Sequence, residues 1–126
     1  MDNTISKNIG QIQIADEVIA IIAGTAALEI EGVYSSSGNA TDTFVEFFGK
    51  KSQSKGVRVF ADNGEVNIDI DIIVEFGSKI QNLAVEVQNK VKNAVETMTG
   101  LEVVLININV TGIVTNNNKI KVEGEE

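Results

Sequence analysis

The sequence predicts a two-layer α+β sandwich, with two long helices on one face of a mixed sheet. The firmest sign is Glu65-Val-Asn-Ile-Asp-Ile-Asp-Ile-Ile-Val-Glu75. Val66, Ile68, Ile70, Ile72 and Val74 alternate with Asn67, Asp69 and Asp71, a period of two that makes a strand with one buried face. β-branched side chains at those inward positions favour the pleated surface further. The second sign is Asn63-Gly64 between this strand and the alternating Gly56-Val-Arg-Val-Phe-Ala61, since a two-residue Asn-Gly turn accommodates positive φ. The third is a pair of long segments with a helical apolar stripe.

In chain order, residues 1–8 read as a flexible leader, and residues 9–113 as the domain. Ile12 and Ile14 alternate with glutamines and suggest a short strand. A helix then runs from about Asp16 to Ile30, with Val18, Ile19, Ile22, Ala23, Ala26 and Ala27 on its stripe. Asp16 and Glu17 complement the dipole at its start, and Gly32 is the expected C-terminal cap. Its many small residues favour close approach, either to the sheet or to a helix of another copy. A second helix follows Gly77, with Ser78 as the expected N-cap. Ile80, Leu83, Ala84, Val87, Val91, Ala94, Val95 and Met98 form its stripe, and Gly100 closes it. Lys79, Glu86, Lys90, Lys92 and Glu96 fall off the stripe as a solvated face. The last strand runs from Leu101 to about Ile113, with Val104, Ile106, Ile108 and Val110 toward the core. Residues 114–126 read as an acidic, mostly mobile tail in which Ile120 and Val122 add a short strand. The order β-α-(α)-β-β-α-β suggests a split βαβ unit of the ferredoxin-like type.

Between the first helix and the hairpin lies Thr41-Asp-Thr-Phe-Val-Glu-Phe-Phe-Gly49. Phe44, Phe47 and Phe48 have helical spacing, and Lys50 and Lys51 follow. Two roles stay open: a short helix plugging the core, or an aromatic and basic patch that docks on a partner or an anionic membrane surface. The second face of the sheet is expected to carry Asn67, Asp69, Asp71, Ile73 and Glu75, with Arg58, Phe60, Val103, Leu105, Asn107 and Asn109. It is mixed in polarity. Solvent, the 41–55 segment or self-association accounts for its apolar members.

Composition narrows the function. Eighteen acidic against ten basic residues give a net charge of −8, which disfavours nucleic acid because phosphates require a basic stripe. With no cysteine, histidine or tryptophan, the commonest general base, thiolate nucleophiles and the usual zinc ligands are missing. No run approaches the roughly 18 apolar residues of a membrane span, and no secretory leader opens the chain. A cytoplasmic location is expected. Gly-rich phosphate loops are absent. Asp69 and Asp71, about 7 Å apart on one strand face, are weak candidates for a hard cation or an acid–base pair. No catalytic, metal or cofactor site is expected.

Ile12-Gln-Ile-Ala-Asp-Glu-Val-Ile-Ala20, Ala26-Ala-Leu-Glu-Ile-Glu-Gly-Val33 and Val91-Lys-Asn-Ala-Val-Glu-Thr-Met-Thr-Gly-Leu-Glu-Val103 resemble the alkaline shock protein 23 family. Gly56-Val-Arg-Val, the strand from Val66 to Glu75 and Ile106-Asn-Ile-Asn-Val110 agree with it. The resemblance covers roughly residues 9–113. It implies a non-enzymatic protein of cell-envelope homeostasis and stress that forms homo-oligomers and is held at the inner face of the membrane by a small anchoring protein. A second implied role is regulation of fatty-acid synthesis at acetyl-CoA carboxylase. The family brings no catalytic residues. The interface residues expected here are Phe44, Phe47, Phe48, Lys50 and Lys51, with Phe60, Ile73 and Leu105 on the second sheet face.

Overall fold

The computed structural model describes residues 4–7, 9–34, 56–115 and 120–122. Its elements are β1 (Thr4–Lys7), β2 (Gly10–Gln13), α1 (Asp16–Leu28), β3 (Val57–Asp62), β4 (Glu65–Glu75), α2 (Ile80–Thr99), β5 (Glu102–Val114) and β6 (Ile120–Val122). The main sheet has the order β3-β4-β5-β6. β3 is antiparallel to β4, β4 is parallel to β5, and β6 is antiparallel to β5. The sandwich is thus α+β with a mixed sheet.

The topology departs from the expected split unit in one respect. β4 and β5 pair directly, so β4-α2-β5 is an uninterrupted crossover with no strand between its parallel members. The early strand pairs instead with β1, in register Ile5 opposite Ile12. The segment expected to be a leader therefore contributes a strand to a separate two-stranded ribbon. At β4's C-terminal end, Val33 bridges Val74, and the Tyr34 N–H donates to the Ile73 carbonyl at 2.7 Å.

The inner face of β4 is the centre of the core, with Val66, Ile68, Ile70, Ile72 and Val74 all buried. Val57 and Ala61 of β3 and Val103 and Ile106 of β5 flank it. Ile19, Ala20, Ala23, Ala26 and Ala27 of α1, and Leu83, Val87, Val91 and Val95 of α2, cover it. Alanines on α1 keep its backbone close to its neighbours, and the two helices pack on each other as well as on the sheet. Val18, Ile80 and Met98, expected on the stripes, are instead largely exposed. The buried stripe of α2 ends on Thr99, whose hydroxyl donates to the Val95 carbonyl and accepts the Leu101 N–H.

Two expected caps are also replaced. The residue closing α1 is Glu29, and Gly32 serves a different need: its φ is +102°, and a Cβ there would collide with Leu83 Cδ1. Glycine is required by both backbone and space. The N-cap of α2 is Lys79, with no side-chain capping bond, while Ser78 lies one residue further out. Asn63 and Gly64 take φ of 53° and 81°, as the turn between β3 and β4 demands.

A bulge resets the phase of β5. Val66 pairs Val103, but the next residue, Asn67, pairs Leu105, so Val104 is left over. Val103 consequently turns into the core, whereas Val104 is 52% exposed, the reverse of the expectation for both. α2 stabilises this irregularity. The Val103 N–H donates to Glu96 Oε2 at 2.9 Å, and Lys92 Nζ donates to the Val103 carbonyl at 3.1 Å and to Glu96 at 2.8 Å. Gln88 Nε2 adds a bond to the Ile106 carbonyl at 2.9 Å. Lys92 and Glu96 are therefore not a merely solvated face: with Gln88 they satisfy backbone groups of β5.

Candidate functional site

The pairing register places the outward residues of the sheet in rows. One row is Phe60, Asn67 and Leu105, and the next is Arg58, Asp69 and Asn107. Asp71 and Asn109 form a third, and Ile73 with Gly112 a fourth. Alternation dictates this arrangement once the inner face is apolar, because a one-residue slip would bury the aspartates.

Phe60 is 59% exposed and Leu105 50%. They stand on either side of Asn67, about 10 Å apart by the spacing of neighbouring strands. Phe60 and Asn67 also line an open depression with Ala61, Asp62, Asn63 and Glu65 at the β3–β4 turn. Ile73 is half-buried and lies about 20 Å along β4 from the Phe60 row, so it does not join this patch. Phe44, Phe47, Phe48, Lys50 and Lys51 lie outside the described residues.

Beside the apolar row, Arg58 bridges two carboxylates. Its Nε and Nη2 donate to Asp69 Oδ2 at 2.9 and 2.7 Å, and Nη2 and Nη1 donate to Asp71 at 2.8 and 3.3 Å. Asn109 Nδ2 adds bonds to Asp71 Oδ1 at 3.0 Å and to Asp69 Oδ1 at 3.3 Å. The guanidinium holds the Asp71 carboxyl below the ordinary carboxylate range, with Asn109 adding to the effect. The two carboxylates in turn raise the arginine's own pKa, Asp71 first. With both carboxylates engaged by Arg58, neither is poised as a general base, and a cation would have to displace the guanidinium. Among the described residues no group of three or more acidic side chains forms a metal-binding cluster.

The outer face is thus a half-exposed polar cluster with a net charge of −1, adjoining an exposed aromatic and aliphatic row. The part of Arg58 was missed in the sequence although its signal is there. Counting back from Asn63-Gly64 pairs Asp62 with Glu65, Phe60 with Asn67 and Arg58 with Asp69.

A family model with the description "cell envelope-related function" matches residues 4–115, which takes in both helices and every strand but β6. The chain belongs to the alkaline shock protein 23 family. Within reach of that family, it is similar to YqhY of Bacillus subtilis (strain 168), at 40% identity over 119 residues, covering 89% of this chain and 87% of that protein. YloU of the same strain is 42% identical over 110 residues, covering 85% and 92%. A protein of Streptococcus pyogenes serotype M3 (strain SSI-1), named as a stress response regulator gls24 homolog, is 29% identical over 110 residues, covering 84% of this chain and 60% of its own length. No solved structure matches the chain. Among the described residues no helix is long and apolar enough to cross a membrane.

Proposed function

We propose that this family member is a non-enzymatic interaction module of the cell envelope. It works at the inner face of the membrane by self-association and by docking on a membrane-anchored partner through the outer sheet face. The observation that carries this reading is the exposed Phe60–Leu105 row beside the Arg58–Asp69–Asp71 cluster. Exposed aromatic and aliphatic side chains rimmed by polar groups are what a protein-binding patch needs. The arginine-bridged carboxylates give the patch orientation, and both are engaged by the guanidinium. A chain without histidine or cysteine fits the same conclusion, as do the family's envelope-related description and the stress-response name of one relative.

The test is a Phe60→Ser plus Leu105→Ser variant. Both side chains are exposed, so the fold survives and far-UV circular dichroism stays unchanged, while binding to membranes of the native host is lost. Undiminished binding by the folded variant would remove the outer face from the reading.

A further inference from the structure

The main sheet treats its edges differently. β6, at one end, is three residues long. In the part of β5 that extends beyond β6, Val103 and Ile106 have backbone groups taken by Gln88, Lys92 and Glu96. β3, at the other end, is six residues long and contains no proline, no lysine and no bulge. Those are the usual devices that keep an edge from pairing.

Alternation shows which groups this edge presents. The Asp71 N–H donates to the Gly56 carbonyl at 2.7 Å, so Gly56, Arg58, Phe60 and Asp62 direct their backbone groups toward β4. Val57, Val59 and Ala61 direct theirs outward, and these have no backbone partner among the described residues. An extended strand is the ligand that such a row fits.

We propose that the strand is β3 of a second copy, joined antiparallel about a twofold axis through Val59, so that two sheets become one. This inference rests on the self-association proposed above and supplies its geometry. The register follows from the residues. With Val59 opposite Val59 of the second copy, Val57 meets Ala61, and every outward-directed residue is used in both copies. On the outer face Arg58 then stands opposite Phe60, twice, so that each ring meets the methylene stem of an arginine whose guanidinium stays on Asp69 and Asp71. Asp62 meets Gly56, so no like charges oppose each other. A shift toward Arg58 would set arginine against arginine. A shift toward Phe60 would oppose Val57 to Asn63, a turn residue at positive φ, and lose its bonds. The favoured register also merges the two outer faces, so that the docking rows of both copies lie side by side.

Sedimentation equilibrium of the full chain over about 1 µM to 1 mM tests this, alone and with two variants. Val59→Pro removes an N–H that β4 does not use, so the internal ladder stays intact. Phe60→Arg places like charges opposite Arg58 and keeps an exposed position exposed. The wild type is expected to dimerise, and each folded variant to raise the dimer dissociation constant by at least about tenfold. Since the chain has no cysteine, a spin label at Asp62→Cys reads the register, with about 20 Å expected between the two Cα positions. A wild type that stays monomeric throughout overturns self-association itself. A dimer unaffected by Phe60→Arg, or a label separation incompatible with about 20 Å, overturns the β3 edge while leaving self-association standing.

Discussion

Arg58 and Asp69 face each other across the β3–β4 hairpin, and the guanidinium contacts one carboxylate oxygen through both Nε and Nη2. The same Nη2 reaches Asp71. One cation therefore offsets half the charge of a pair of carboxylates that the alternation of β4 forces onto the same side.

Acid should weaken the fold partly through this cluster. The Asp71 carboxyl is held below its ordinary value of 3.8. Its contribution is therefore complete above that value and is lost as the pH falls through the depressed folded value. Asp71→Asn should flatten the fall of stability with acid below about pH 4, by roughly 0.5–1 kcal/mol after allowance for solvent screening at this part-exposed pair. Urea unfolding between neutral pH and about pH 3 measures it. An unchanged slope would mean that the cluster is not coupled to folding.

Gly32 and Leu83 should be coupled in stability. Gly32→Ala meets both a positive φ and the Leu83 methyl, at a cost of about 2–4 kcal/mol. Leu83→Ala alone costs about 2–5 kcal/mol through its cavity. The double variant should be at least about 1 kcal/mol more stable than the two costs added, because the cavity admits the new methyl. Strict additivity in urea unfolding would contradict the contact.

The bulge makes adjacent valines unequal. Val103→Ala removes two methyl groups from the core and should cost about 2 kcal/mol, whereas Val104→Ala should stay within about 0.5 kcal/mol. Equal losses by thermal or urea unfolding would place the bulge elsewhere.

Legibility followed the strength of local signals. β4 was readable because apolar and polar residues alternate from Glu65 to Ile72, and the hairpin because Asn63-Gly64 admits few alternatives. In β5 the run Val103-Val104-Leu105 is apolar throughout and has no phase of its own. Only the partner strand, together with Glu96 and Lys92 from α2, decides which valine turns inward. Gly32 looked like a helix cap because its other constraint, Leu83, lies 51 residues away. Ile12 marked a short strand, but its pairing with Thr4–Lys7 was unreadable, since Thr4-Ile-Ser-Lys7 holds a single apolar residue and so no alternation. At the candidate site, Phe60 and Leu105 were legible as outward residues. Arg58 was visible as a residue but not as the bridge, which needs the register of two strands.

Sedimentation with membrane vesicles from the native host bears most directly on docking through the outer face. The wild-type chain should bind them saturably, and protease treatment of the vesicles should abolish binding, as docking on a membrane-anchored protein partner requires. The folded Phe60→Ser plus Leu105→Ser variant should remain in the supernatant. Equal binding to protein-free lipid vesicles, or equal sedimentation of that variant, would contradict docking on a membrane-anchored partner through this face.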